Sequence, residues 1–167
     1  MDGAKGAYYS EREPLKRAAE RAKALVRRRA LLAAGAAGVA PPGVDVLVDA
    51  ASLADLLARI NRLFLLAPED AAKLSTEERI AVARALEEVG ARFAGRSLSG
   101  FLVLEALKAA GSRWVGARVA SWVPVAGRVA AASLSYYLFH RLGTEHINEC
   151  LRVRTVAALR LGRPNGF

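Results

Sequence analysis

Cysteine is almost missing from this chain, with Cys150 alone among 167 residues. No internal disulfide can form, which suits a reducing cytosol, and stability has to come from packing. Aromatic residues number only eleven and mostly sit inside apolar runs, so there is no exposed stacking platform for single-stranded nucleic acid. No Gly-rich loop ends in Lys-Ser or Lys-Thr, so nucleotide phosphates have no cradle, and any GTPase activity must come from another chain. A bilayer-spanning helix needs about 20 predominantly apolar residues. The apolar stretches at 30–44 and 119–139 are interrupted by Pro41-Pro42 and by Arg128, so neither is a standard span. The polar start, with Glu11 and Glu13, does not read as a secretory leader. Strand-like alternation is absent too.

Helix-forming material is abundant. Apolar residues make up 53% of the chain, with Ala and Leu dominant, which points to an all-α domain that buries a core without metals. Residues 1–12 are polar and read as a flexible N-terminal segment, 13–160 as a single helical domain, and 161–167 as a breaker-rich tail. From Pro14, Leu15, Ala18, Ala19, Ala22, Leu25 and Val26 recur at three- and four-residue spacing and predict an amphipathic helix. A second helix is expected from Val44 to about Leu66, with Leu56, Ile60, Leu63 and Phe64 on one face and an Asp55–Arg59 pair one turn apart. Ser75 and Glu78 have capping-box spacing ahead of a short helix to about Phe93. Another helix opens at Phe101, and the last begins near Pro124 and runs past Gly143. Two corners separate these segments, Pro41-Pro42-Gly43 and Pro124 with Gly127. Proline removes an amide donor and pushes the preceding residue out of the α region, so one helix ends and the next begins with Pro in its first turn. The expected architecture is an all-α helical bundle of five or six helices with two Pro-Gly helix-hairpin corners.

The net charge is +9, unevenly spread: residues 1–29 hold nine basic and four acidic groups, 30–100 seven and nine, and 101–167 nine and three. Arg27-Arg28-Arg29 stands directly before the uncharged run Ala30 to Val44. A basic cluster ahead of apolar residues is what a contact with an anionic membrane surface looks like, at about 1 kcal/mol per basic residue. The same cluster also fits a solvated helix face. No nucleic-acid-binding motif accompanies it, which argues against that partner. Asp45 and Asp49, one turn apart, either complement the start of their helix through its macrodipole or pair with Arg118 or Arg128.

Val39-Ala40-Pro41-Pro42-Gly43-Val44-Asp45, Leu74-Ser75-Thr76-Glu77-Glu78-Arg79, Val123-Pro124-Val125-Ala126-Gly127 and Tyr137 to Leu142-Gly143 follow one another over residues 30–155. In that order they resemble the helical domain typified by the bacterial YcjF inner-membrane protein. A similar Pro-Gly corner occurs in the helical domains of immunity-related GTPases and in the EcsC-like family. The resemblance implies association with membranes and with a partner or fused GTPase, and it implies no catalytic residue. The expected location is cytoplasmic, with the cytoplasmic face of a bacterial inner membrane as the place of contact.

The one titratable cluster is His140, Glu145, His146, Glu149 and Cys150. A closed zinc site needs four ligands, His140 is off the helical spacing of His146 and Cys150, and Gly143 can break the helix between them. Cys150 with His146 has the residue types of a thiolate–imidazolium pair, with Asn148 as the one carboxamide nearby. Neither reading gathers a full set of groups, so no catalytic, cofactor or metal residue is expected. The functional expectation is a non-enzymatic helical module, peripheral to or dipping into a membrane, acting with a GTPase or another helical partner. The alternative is a soluble homo-oligomeric scaffold.

Overall fold

The computed structural model describes residues 3–37, 45–96 and 126–162. Every regular element among them is helical: α1 (Gly3–Ala37), α2 (Asp45–Leu63), a 3-10 turn (Pro68–Lys73), α3 (Thr76–Val89) and α4 (Ala126–Arg160). The all-α class holds for the described residues, which include four α-helices. Pro41, Pro42, Gly43, Pro124 and the helix expected from Phe101 lie outside them, while Gly127 stands in the first turn of α4.

α1 is 35 residues long and carries Pro14 inside it, so it begins eleven positions earlier than the proline-based reading places it. Proline's fixed φ is itself helical, and inside a helix it removes one backbone hydrogen bond and crowds the carbonyl four residues back. The expected apolar face is the buried one. Ala19, Ala22, Val26, Ala30 and Ala33 are buried at three- and four-residue steps, while Leu15, Ala18 and Leu25 are half-buried.

α2 buries one apolar stripe at three- and four-residue steps, with Leu53, Leu56, Leu57, Ile60 and Asn61 inside, and Phe64 continues it just past the helix end. It stops at Leu63, three residues short of the expected end. Leu65 takes a left-handed φ of 53°. Its amide donates to the Arg62 carbonyl at 3.1 Å, and the Leu66 amide donates to the Asn61 carbonyl at 2.8 Å. This is the paired closure usually built with glycine, so the sequence carries no glycine to mark the stop. Pro68 then opens the 3-10 turn after the extended Ala67.

α3 begins as its sequence predicts. The Ser75 hydroxyl accepts from the Glu78 amide at 3.2 Å, and the Glu78 carboxylate accepts from the Ser75 amide at 2.8 Å. It ends at Gly90, whose φ of 63° only glycine adopts cheaply, and not at Phe93. α4 runs 35 residues straight through Gly143, as expected of the last helix, so no break separates His140 from His146. A glycine is accommodated in that helix because Val26 of α1 fills the space where its Cβ would stand.

The chain divides into two compact units, one of Met1–Ala24, Ala58–Ser97 and Glu145–Phe167 and the other of Leu25–Leu57 and Leu98–Thr144. Ala22, Ile60, Phe64, Ile147 and Val153 are core residues of the first; Val26, Ala30, Leu53, Leu57 and Phe139 are core residues of the second.

Candidate functional site

Among the described residues, two places bring together chemically informative side chains. The first lies inside the first unit, on the inward face of α4, where His146, Glu149, Cys150 and Arg154 are spaced three and four apart and all are buried. The polar residues on this face are not solvated, so each must find partners within the fold. Asn61 of α2 supplies the central one. Its Nδ2 donates to the Phe93 carbonyl at 3.0 Å, while its Oδ1 lies 3.0 Å from His146 Nε2 and 3.6 Å from Cys150 Sγ. On the other side of the ring, His146 Nδ1 is 2.9 Å from Glu149 Oε2.

The segment 91–96 closes the cluster. Glu149 accepts from the main-chain amides of Arg92 and Phe93, and the Phe93 ring meets His146 edge-on at 6.1 Å. Gly95 makes that loop possible, since its φ is 72° and a Cβ there would fall 2.6 Å from Leu86 Cδ1. The backbone folds tightly back on α3 and turns two amides toward Glu149. Burial by itself raises the Glu149 carboxyl. The hydrogen bonds from His146 and from the Arg92 and Phe93 amides outweigh it, and its pKa lies below the ordinary glutamate value. The Cys150 thiol moves the other way: burial, with the Glu149 charge added, pushes it well above its usual range. One turn further, burial lowers Arg154 to about 10, and the Glu78 carboxylate acts against that shift.

Cys150, His146 and Glu149 thus stand in the order nucleophile, base and orienting carboxylate, with Sγ 3.7 Å from Nε2. Three observations speak against a reactive thiol: Cys150 is 0% exposed, its pKa is raised rather than lowered, and its S–H points to Asn61 Oδ1. His140 and Glu145 are exposed. Among the described residues no group of three or more His, Cys, Asp or Glu is placed to hold a metal ion. Asn148 is exposed; the carboxamide that engages His146 is Asn61. Its sequence signal is local: Asn61 falls eight and four positions after Leu53 and Leu57, on a face of α2 otherwise apolar. Its partner, however, is 85 residues away.

The second place is the outward face of α1 in the second unit. Arg27 and Arg28 are exposed, and one turn on Leu31 and Leu32 are 60% and 58% exposed. Gly35, a further turn along, has nothing within 4 Å of where a Cβ would stand. At 100° per residue these positions share one face. Arg29 does not belong to it. Its guanidinium bonds Asp55 of α2 at 2.7 Å and is half-buried, tying the two helices together. Asp45 opens α2 and Asp49 follows one turn later; their side chains, the Arg128 side chain and Arg118 lie outside the described residues. Among the described residues no helix is long and apolar enough to cross a membrane. No protein-family profile matches this sequence, and comparison with curated proteins and with solved structures finds no match.

Proposed function

We propose that this chain is a helical module that docks reversibly on an anionic membrane surface through the outward face of α1. The reading is carried by one observation, the pairing of exposed Arg27 and Arg28 with the exposed Leu31 and Leu32 one turn further along the same face. Two guanidinium groups reach a layer of anionic headgroups, and two leucines enter the acyl boundary just beyond it. This is the composition of an interfacial helix face rather than of a membrane span. Two basic residues contribute about 2 kcal/mol, and two leucines that leave water for the acyl boundary about 3–6 kcal/mol at full burial. Partial insertion leaves a total of about 4–5 kcal/mol, a dissociation constant near the millimolar range. A single copy held so weakly needs a second attachment, which multiplies the affinity without any new lipid contact. A helical partner at the membrane, which the resemblance implies to be a GTPase, fills that role in this proposal.

Vesicle flotation tests it. The full chain is expected to float with acidic vesicles at low salt and much less with neutral ones, and Arg27→Gln/Arg28→Gln to abolish the difference. Arg29→Gln should lower stability slightly and leave flotation unchanged. Flotation that ignores lipid charge, or none at all, overturns the reading. Vesicle-independent self-association of the Leu31 and Leu32 face would favour a homo-oligomeric scaffold instead.

A further inference from the structure

The hydrogen-bond directions around His146 leave few ways to place its protons. Asn61 Nδ2 is the donor to the Phe93 carbonyl, a group that can only accept, so Oδ1 is the atom turned toward the imidazole. Turning the amide over would set two acceptors 3.0 Å apart at Phe93. His146 Nε2 therefore has to carry a hydrogen. Its Nδ1 faces Glu149 Oε2 at 2.9 Å, and that contact holds a proton whichever atom owns it. The main-chain amides of Arg92 and Phe93 both point at the Glu149 oxygens and favour the ionised carboxylate, which leaves the proton on Nδ1.

We propose that His146 is held as a doubly protonated imidazolium inside the fold at neutral pH, and that this ring, between Glu149 and Asn61, is the element that fastens segment 91–96 to α2 and α4. Among the described residues, the titratable groups in contact with the ring are Glu149 and Cys150, both on α4. α2 offers the neutral Asn61. Segment 91–96 offers two main-chain amides and the edge of Phe93, with the Arg92 side chain itself exposed. When the ring gives up its Nε2 proton, a lone pair faces Asn61 Oδ1. The amide then has to turn, which breaks its bond to Phe93, or the Cys150 S–H has to swing from Oδ1 to Nε2. Either change loosens the hold on the segment.

The chain has two histidines, so ring nitrogens can be resolved one residue at a time by NMR on the uniformly nitrogen-15-labelled full chain. Exposed His140 is the internal reference. At neutral pH both His146 ring nitrogens are expected to show directly bonded, slowly exchanging protons. One unprotonated ring nitrogen overturns the assignment. In His146→Gln, compared with wild type at one fixed pH, hydrogen exchange at the Arg92 and Phe93 amides should accelerate more than about tenfold, the loss expected when a charged hydrogen bond is removed. Unchanged exchange at these amides in that variant overturns the fastening role. Glu149→Gln should remove one ring proton at neutral pH, and persistence of both in that variant counts against the carboxylate as their cause.

Discussion

Gly143→Ala has opposite outcomes in an isolated helix and in this fold. In a free helix, alanine in place of an interior glycine gains about 1 kcal/mol. Here the new Cβ would lie 2.6 Å from Val26 Cγ2, 2.9 Å from Cγ1 and 3.3 Å from Cβ, where carbon atoms prefer about 3.5–4.0 Å. Val26 is 1% exposed, and its β-branched side chain has one strongly preferred rotamer in a helix, so it cannot swing clear. Overpacking of this kind costs about 1–3 kcal/mol, and a 2.6 Å overlap with a stiff side chain belongs at the upper end. The net expectation is a loss of about 1–2 kcal/mol, or about 2–8 °C in Tm for a chain of this length. Val26→Ala alone should cost about 1.5–3 kcal/mol through lost burial. In the double variant the two changes relieve each other, and the cycle should show a coupling of about 1–3 kcal/mol. Urea unfolding followed by circular dichroism reads all four corners. A Gly143→Ala variant that is more stable than wild type, or a cycle that simply adds, would refute the close approach of α1 and α4.

Three further outcomes follow from individual contacts. Ser75→Ala removes an exposed cap and should cost about 1 kcal/mol by the same unfolding assay, with Ser75→Asp recovering most of it. Glu149 has a folded pKa below its unfolded value near 4.5, so its contribution is present above about that pH and is lost as pH falls through the folded value; Glu149→Gln should flatten the acid limb of the stability profile. Cys150, buried and with its thiol raised, should resist thiol reagents at mildly alkaline pH and react only at the rate of unfolding, so rapid labelling of the native chain would contradict the network around it.

What the sequence made legible was local. The Ser75–Glu78 box and the apolar stripe of α1 are set by residues three and four apart, and both stand in the structure as read. Helix ends were harder where the usual residue is missing: α2 closes through a left-handed leucine at Leu65, and nothing in its side chain announces a stop. The spatial role of Gly143 was hidden as well, because the residue that demands it, Val26, is remote in sequence. The same remoteness hid the His146 cluster. Spacing on α4 shows His146, Glu149 and Cys150 on adjacent turns, but only folding brings Asn61 and the amides of Arg92 and Phe93 to them, turning a candidate reactive pair into a closed network. Arg29 likewise reads as part of a basic triplet until Asp55 is found beside it, which reduces the free basic face to Arg27 and Arg28.

The most direct measurement of the membrane reading places an environment-sensitive fluorophore on Leu32→Cys in the full chain, with Ala83→Cys on the exposed surface of α3 as the control. Docking through α1 predicts a blue shift and quenching by membrane-embedded quenchers at position 32 when acidic vesicles are added, and neither at position 83. An unchanged spectrum at position 32 in the presence of acidic vesicles, or equal responses at both positions, would contradict docking through this face.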